Sequence, residues 1–258
     1  MISIPAIGTL AANTMREAIR SKVLYTLLFF AVLLIGTGVL LSTLTYVEGE
    51  RILQSVGLAA IRLFGAAIAI FIGIGLIHRE VERRTIYTIL SKPISRGEFL
   101  LGKYLGLVAT IWLQVLVMGL AFAAVSLLAG APLGIGHAQA LGLAAIELAV
   151  VVAFSTLFSS FTTPMLAALF TTGLYALGHL SRDLRDLGSH SDVETVRLVA
   201  SGLHRVLPDL ESFNLTTQAL HALPVPGSEV VFAGLYGVGY GAILLVLAVL
   251  IFERRDFK

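Results

Sequence analysis

The chain has 258 residues, of which 57% are hydrophobic and only 13% are charged, and its mean hydropathy is +0.92. This composition excludes a soluble globular domain and indicates an integral membrane protein. The sequence contains no cysteine, which excludes disulfide bonds, thiolate metal sites and cysteine nucleophiles. The net charge of +2 is small, so the division of charges between the two membrane faces is more informative than the total.

The first 22 residues have the pattern of an amphipathic helix. Apolar residues recur at helical spacing after Pro5, and Arg16, Arg20 and Lys22 take the other side. We therefore expect residues 1–22 to form an interfacial helix on the cytoplasmic face of the membrane. A simple extension of the first span into water remains the alternative.

Six apolar windows are long enough to cross about 30 Å of hydrocarbon at 1.5 Å per residue. They cover residues 23–45, 56–77, 99–128, 138–160, 164–180 and 229–252. The fourth and fifth are separated only by a short polar run that ends at Pro164, so we expect them to form a helical hairpin. The sequence thus predicts an all-α protein in which residues 23–258 form one six-helix transmembrane domain.

The loop predicted at residues 78–98 joins the second and third spans and starts the longest cationic segment of the chain. Basic residues outnumber acidic ones there, which favours the cytoplasmic side of the membrane. The charged residues of this segment are Arg79, Glu80, Glu82, Arg83, Arg84, Lys92, Arg96, Glu98 and Lys103.

The end of this segment partly matches the P-loop motif of nucleotide-binding proteins. Gly97, Gly102 and Lys103 match the glycine and lysine spacing of a P-loop, but Tyr104 stands where the magnesium-binding Ser or Thr is required. The intervening residues are bulky and lead into an apolar span. Zinc-protease and serine-hydrolase motifs do not occur in the sequence either. We therefore expect that the chain is not an enzyme, has no catalytic residues, and binds no metal or cofactor itself.

Two ionisable residues lie inside predicted spans, Arg62 in the second and Glu147 in the fourth. A charge at this depth costs about 3 kcal/mol on insertion scales, so each residue requires a partner. Both fall within two or three turns of the outer ends of their predicted spans. We predict an Arg62–Glu147 ion pair that joins the two helices; contact with substrate, or gating of a path, is the functional alternative.

Small residues supply predicted helix-packing surfaces in the second and sixth spans. The glycines on these faces are Gly65, Gly73, Gly237 and Gly241. Such residues allow two helix backbones to approach closely. The sequence leaves two uses open, packing inside the bundle and formation of a dimer.

The outer loop at residues 182–229 is the only sizeable polar segment. Ser191 and Glu194 form a predicted capping box that opens an amphipathic helix, and Pro208 should end that helix near Leu207. We expect an interfacial helix that covers the outer mouth of the bundle; a ligand-binding role for the loop is the alternative. The histidines at positions 179, 190, 204 and 221 are scattered, and we expect them to be solvated or to cap helices.

The distribution of basic residues predicts the orientation. Twelve lysines and arginines lie before the first span, around the 78–98 loop or at the C-terminus, whereas five lie on the opposite face. The positive-inside rule then places both termini in the cytoplasm. We expect a multi-pass protein of the cell inner (plasma) membrane.

The ordered combination of these features resembles the membrane subunits of ABC-2 type transporters, in particular the NosY-like permeases. It consists of a short amphipathic start, two spans, and then a loop that reads E-x-E-R-R-T-I-Y-T-I-L-S-K-P-I-S-R-G-E-F-x-x-G-K. The stretch from Leu207 to Leu215 and the closing residues 252–257 also resemble that family. The similarity covers nearly the whole chain.

The resemblance implies an ABC-2 (type V exporter-like) permease half with a cytoplasmic coupling helix that docks on a separate ATPase subunit. It assigns this docking to Glu80, Glu82, Arg83, Arg84, Thr85, Ser91, Lys92, Pro93 and Arg96. ATP and Mg²⁺ are then expected in the partner ATPase. A second permease copy or a paralogue is the other expected protein partner, the lipid bilayer surrounds both, and no nucleic acid is expected.

The residues of the loop agree with docking. An apolar face and adjacent arginines suit a groove on a protein partner. The alternative is a basic loop that binds anionic lipid headgroups. Binding to such headgroups would not require the glutamates that alternate with the basic residues. We therefore expect a permease that couples ATP hydrolysis to substrate translocation. Two alternatives remain, a non-transporting scaffold for envelope assembly and an ion-driven secondary transporter.

Overall fold

The computed structural model describes residues 4–44, 48–82, 95–190 and 193–254, and these residues are predominantly helical. In chain order the helices are α1 (Ile4–Ile19), α2 (Lys22–Ser42), α3 (Gly49–Glu82), α4 (Arg96–Leu128), α5 (Ile135–Ser159), α6 (Pro164–His179), α7 (Ser181–Ser189), α8 (Glu194–Val206), α9 (Thr216–Leu220) and α10 (Gly227–Arg254). A 3₁₀ turn at Leu210–Phe213 precedes α9. The all-α class predicted from the sequence is confirmed for the described residues.

Five helices within the described ranges are long and apolar enough to cross a membrane. They are α2, the Gly49–Gly75 part of α3, α4, α5 and α10. The predicted fifth span corresponds to α6, which has 16 residues and is therefore shorter than the roughly 20 residues that cross the hydrocarbon core. The membrane class is thus supported by five candidate spans, and the sixth span stays a prediction.

Local sequence signals set several helix ends. Ser95 and Glu98 form a capping box at the start of α4, where each side chain bonds the backbone N–H of the other residue. The chain leaves α4 through Gly130, whose positive φ of 79° suits the left-handed residue that closes many helices. Pro164 is the first residue of α6, a position where its missing N–H costs nothing.

The α5 helix lies at the centre of the bundle. It packs against α3, α4, α6, α9 and α10. Val151, Val152 and Ala153 are fully buried, and most of the helix is apolar on all sides. The α5 helix therefore forms the buried core around which the other helices pack.

The predicted glycine face of α3 packs against α5. A Cβ atom placed on Gly65 would lie 2.5 Å from Cδ1 of Leu148, and one placed on Gly73 would overlap Ser155. These contacts join helices of the same chain. At these two positions the structure favours packing inside the bundle over a dimer interface.

The glycines of α10 face the same central region. A Cβ atom on Gly237 would lie 2.6 Å from Cγ2 of Ile146 on α5, and Phe213 lies on its other side. Gly241 is less crowded, because a Cβ atom placed there would lie 3.6 Å from the hydroxyl oxygen of Tyr104. Both glycines are buried within the chain.

The α1 helix packs along the first turns of α4. A Cβ atom on Gly106 would lie 2.5 Å from the carbonyl oxygen of Ala11 and 2.6 Å from Cβ of Thr14. A Cβ atom on Gly102 would lie 2.6 Å from Cβ of Leu10. The helix predicted at the membrane interface is therefore also fixed to the bundle. We call the end where α1 packs, α4 begins and α10 ends the terminal end, and the opposite end the distal end.

The segment that closes the distal end differs from the one expected. The exposed fractions of Val196 and Val199 on α8 are 47% and 55%, so this amphipathic helix does not bury its apolar face in the bundle. The 3₁₀ turn and α9 enter the bundle instead, with Leu210, Phe213 and Ala219 buried. The α8 helix ends at Val206, before the proline, and packs on α7. The predicted cap residue of α8, at position 191, lies outside the described residues.

We predict that Gly106→Ala destabilises the protein by about 1–3 kcal/mol, because the added methyl group would clash with the carbonyl oxygen of Ala11 and with Thr14 on α1. The measurement is the apparent Tm of the purified protein in detergent. Gly142→Ala is the matched control, since a Cβ at Gly142 meets no atom within 4 Å. Equal Tm values for the two variants would contradict the close packing of α1 on α4.

Candidate functional site

The predicted coupling residues flank and occupy the connection between α3 and α4. Glu80 and Glu82 belong to the last turn of α3, which ends at Glu82. The residues of the predicted coupling set that lie outside the described residues are Arg83, Arg84, Thr85, Ser91, Lys92 and Pro93. Their role therefore stays a prediction.

Arg96 is the described member of that set with a visible side-chain role. It is the first residue of α4, and its Nη1 atom donates hydrogen bonds to the carbonyl oxygens of Phe252 and Glu253, at 3.3 and 3.1 Å. These carbonyls end α10 and carry the negative end of the helix dipole. Arg96 thus caps α10 and ties the start of α4 to the C-terminal end of the bundle.

Aromatic packing strengthens the same junction. The rings of Phe99 and Phe252 are stacked with centroids 6.3 Å apart, and both side chains are buried. Burial of two aromatic side chains contributes several kcal/mol of hydrophobic stabilisation. The chain that leaves the predicted coupling loop therefore enters a firmly held helix end.

Residues 97–103, which partly match the P-loop motif, are helical throughout, because α4 begins at Arg96. Phosphate cradling requires a loop of free backbone amides before the helix, and the run from Gly97 to Lys103 does not have that form. Lys103 is 1% exposed, and its Nζ atom lies 3.7 Å from Oε2 of Glu17 on α1. These residues hold α1 on α4.

Arg62 and Glu147 meet inside the bundle. The Nη2 and Nε atoms of Arg62 donate to Oε2 of Glu147, at 2.9 and 3.2 Å. The side chains are 14% and 1% exposed, respectively. The contact joins α3 to α5 at the position where the sequence predicted an ion pair.

Two further residues complete a cluster that we call the buried ionic cluster: Arg62, Glu147, His179 and Glu211. Nε2 of His179 lies 2.9 Å from Oε1 of Glu147, and Nδ1 lies 3.1 Å from Oε2 of Glu211. Asn214 donates to the other oxygen of Glu211, at 2.7 Å. The cluster therefore links α3, α5 and α6 to the 3₁₀ turn of the distal segment.

The geometry of the cluster favours electrical neutrality. Each nitrogen of the His179 ring faces a carboxylate oxygen, and both nitrogens can donate only in the imidazolium form. The cations Arg62 and His179 then balance Glu147 and Glu211. A neutral set of paired charges is the form that a low-dielectric interior tolerates best.

Burial acts to raise the pKa of Glu211, but the hydrogen bonds from His179 and Asn214 and the charge of Arg62 outweigh it. The pKa of Glu211 therefore lies below its usual value. The carboxylate stays ionised at neutral pH and keeps its contact with the end of α6.

The buried ionic cluster lies well inside the bundle. Arg62 follows the start of α3 by 13 residues and Glu147 follows the start of α5 by 12, which corresponds to about 18–20 Å from the distal helix ends. The helices α3 and α5 begin earlier than the predicted spans, because both extend beyond their apolar windows at the distal end. His179 is level with Glu147, so α6 ends inside the bundle.

The expectation that His179 is a solvated or capping residue was wrong. It is the last residue of α6, with a side chain that is only 21% exposed. Its position at the end of an apolar span was the available signal, because a histidine there can meet the partner of an intramembrane charge. Glu211 had no such signal, since it lies in a segment expected to be outside the bundle.

Among the residues that the structure describes, no group of three or more His, Asp or Glu side chains is placed to hold a metal ion. In the buried ionic cluster an arginine, Arg62, pairs directly with the carboxylate of Glu147. Its arrangement suits a structural junction between helices.

We predict that Glu147→Gln destabilises the protein by about 3–5 kcal/mol, because it leaves Arg62 as an uncompensated charge in the bundle. The measurement is the apparent Tm in detergent. The double variant Arg62→Met, Glu147→Gln should lose less stability than the sum of the losses of the two single variants.

Glu48→Gln is the matched control for this experiment. Glu48 pairs with Arg51 at 2.7 Å, but their side chains are 55% and 47% exposed, so the expected loss is below about 1 kcal/mol. If Glu147→Gln lowered the Tm no more than Glu48→Gln does, the buried ionic cluster would not contribute to the stability of the protein.

Comparison with known protein families gives one result that covers nearly the whole chain. The profile that describes the ABC-2 family transporter proteins matches residues 8–257. No curated protein matches the chain. The match runs from α1 to the end of α10, and together with the apolar helices it shows that this chain belongs to the ABC-2 family of membrane transport permeases.

Proposed function

We propose that the chain is the permease subunit of an ATP-binding cassette transporter and couples ATP hydrolysis in a separate cytoplasmic ATPase to movement of a substrate across the membrane. The observation that carries this proposal is the family match over residues 8–257. ATP and Mg²⁺ bind to the partner subunit in this proposal, and this chain supplies the path and the coupling surface.

The charge distribution supports an orientation with the terminal end in the cytoplasm. The basic residues of α1 lie at the terminal end, where α3 and α10 also end, and Arg83, Arg84 and Arg255 follow those two helix ends in the sequence. An ATPase on the cytoplasmic side would then meet the residues that connect α3 to α4. Glu82 and Arg84 are central to that docking surface.

The proposed coupling uses α3 as a rigid connection. This helix has 34 residues, and Glu82 at its end is about 30 Å from Arg62 along the axis. A displacement of the helix end by the ATPase would move Arg62, and with it the buried ionic cluster and the distal segment. Alternation between two packings of the bundle would then open one face at a time.

The finer assignments follow the family resemblance. We propose that α6 acts as a short sixth span, that the protein is NosY-like, and that two such permease halves form the transport unit in the inner membrane. The apolar face of α2 supports a membrane or subunit contact, because Phe29, Phe30 and Leu33 are about half exposed.

We predict that the double variant Glu82→Lys, Arg84→Glu loses a co-purifying ATPase. The exchange reverses the local charge pattern and keeps the net charge, so it should reduce the recovered ATPase at least about tenfold by breaking charge-assisted contacts. The measurement is the ATPase activity and identity of proteins that co-purify with the C-terminally tagged permease from its native membrane.

The matched control is the double variant Glu48→Lys, Arg51→Glu, which makes the same exchange on an exposed pair at the distal end. It should retain the ATPase. Absence of any ATPase from the intact wild-type protein would reject the proposal and favour the scaffold or the ion-driven transporter. Equal recovery in all three samples would reject the coupling surface at Glu82 and Arg84.

A further inference from the structure

A cavity of about 740 Å³ lies at the distal end, between the first turns of α10 and the segment that leads into the 3₁₀ turn. We call it the α10 cavity. Its volume is within the range of about 300–1,000 Å³ that is usual for small-molecule sites. It has no lining residue in common with the buried ionic cluster. Its charged and aromatic lining residues are Arg182, Asp209, Glu229, Phe232, Tyr236 and Tyr240.

One face of α10 forms the aromatic wall of this cavity. The residues at positions 229, 232, 236 and 240 recur at helical spacing, so they lie above one another along the helix. Glu229 is in the first turn, and Tyr240 follows it by eleven residues, or about 16 Å along the axis. Phe232 is 69% exposed and Tyr236 is 39% exposed. Both rings are therefore accessible to a ligand in the cavity.

Tyr236 is held in position by the opposite wall. Its hydroxyl oxygen accepts a hydrogen bond from the backbone N–H of Asp209 at 3.0 Å. Its ring centroid lies 5.9 Å from that of Tyr240. Tyrosines of membrane helices commonly direct their hydroxyls to lipid headgroups, whereas this one is directed to the distal segment of the protein. The aromatic wall is thus in place before a ligand binds, which lowers the entropic cost of binding.

Two of the three charged side chains that line the cavity pair with each other. The Nε and Nη2 atoms of Arg182 donate to Oδ2 of Asp209, at 2.9 and 2.8 Å. The other oxygen of Asp209 accepts a hydrogen bond from the backbone N–H of Ser212 at 3.2 Å. Both oxygens of this carboxylate are therefore occupied, and the pair with Arg182 is neutral.

Glu229 supplies the third charge, and its carboxylate is open to the cavity. The residue is exposed, and within the described part of the chain its side chain makes no hydrogen bond or ion pair. A carboxylate in the first turn of α10 is favoured by the helix dipole, but that interaction leaves both oxygens accessible. With one cation and two anions among its lining residues, the cavity has one net negative charge.

This combination of charge and aromatic rings selects an organic cation. The net negative charge disfavours an anion. A metal ion such as Ca²⁺ requires six to eight oxygen ligands, and a single open carboxylate does not provide them. A positive charge on an apolar body can instead contact the carboxylate and lie against aromatic rings, which attract cations to their faces.

We propose that the α10 cavity is a binding site for an organic cation with an apolar body, such as an alkylammonium or arylammonium ion. Glu229 contacts the positive charge, and Phe232 and Tyr236 contact the apolar body. The same chemistry is present in soluble cations and in ammonium head groups of lipids. The inference goes beyond the proposed function, because binding to this chain alone does not depend on an ATPase.

The test is saturable binding of tritiated tetraphenylphosphonium to the tagged, purified protein in a neutral detergent, measured by scintillation proximity. Triphenylphosphine oxide is the matched competitor, because it is similar in shape and has no net charge. We expect unlabelled tetraphenylphosphonium to displace the probe at a concentration at least about tenfold lower than triphenylphosphine oxide does.

Variants locate the bound probe. Glu229→Gln should weaken binding about fivefold by removing the open charge, and Phe232→Leu should weaken it about threefold by removing an aromatic face. Glu194→Gln is the matched control, since it alters an exposed glutamate in the first turn of another helix, α8, and should leave binding unchanged. Glu229 and Phe232 are both exposed, so neither change disturbs the core, and equal Tm values verify this.

Two further competitors distinguish the sources of the cation. Displacement of the probe by phosphatidylethanolamine, and not by phosphatidylglycerol at the same mole fraction, would assign the site to an ammonium head group. Displacement by benzyltrimethylammonium, and not by either lipid, would assign it to a soluble cation. Three results would overturn the proposal: no saturable binding of tetraphenylphosphonium, equal displacement by triphenylphosphine oxide, or binding that neither Glu229→Gln nor Phe232→Leu weakens.

Discussion

Arg62 is the constraint around which the bundle is built. A guanidinium about 20 Å from the distal helix ends requires a carboxylate, and Glu147 on the central α5 helix supplies it. Glu147 has a second oxygen to satisfy, and His179 at the end of α6 does so. His179 in turn contacts Glu211, which brings the 3₁₀ turn into the bundle. One buried arginine thus determines where three helices meet and where the distal segment lies.

The two ends of the bundle are stabilised by different chemistry. At the terminal end, Arg96 caps α10, and the glycines of α4 allow α1 to pack closely, so the start of α4 and the end of α10 are held in place. At the distal end, the buried ionic cluster and the apolar side chains of Leu210 and Phe213 hold the closing segment. The α3 helix reaches both regions. This arrangement is suited to carrying a displacement at the terminal end to the distal end.

Composition and periodicity were sufficient to predict the membrane class and the all-α fold, because apolar segments of this length are typical of transmembrane helices. They also predicted the Arg62–Glu147 contact, since a charge inside a membrane span requires a partner of opposite charge in a neighbouring span. The contact of Glu211 could not be predicted, because its segment was expected to lie outside the bundle. His179 did have a signal, its position at the end of an apolar span, but hydropathy does not show that this helix ends inside the bundle. The role of Arg96 was similarly hidden, since its acceptors are backbone carbonyls 156 and 157 residues away.

Hydrogen–deuterium exchange in the distal segment tests the central claim that the buried ionic cluster holds this segment in the bundle. In the wild-type protein, the amides of Leu210–Phe213 should exchange much more slowly than those of the exposed α8 helix. Glu211→Gln should accelerate their exchange about tenfold or more, whereas Glu194→Gln on α8 should not. Unchanged exchange in the Glu211 variant, or rapid exchange in the wild type, would contradict the account.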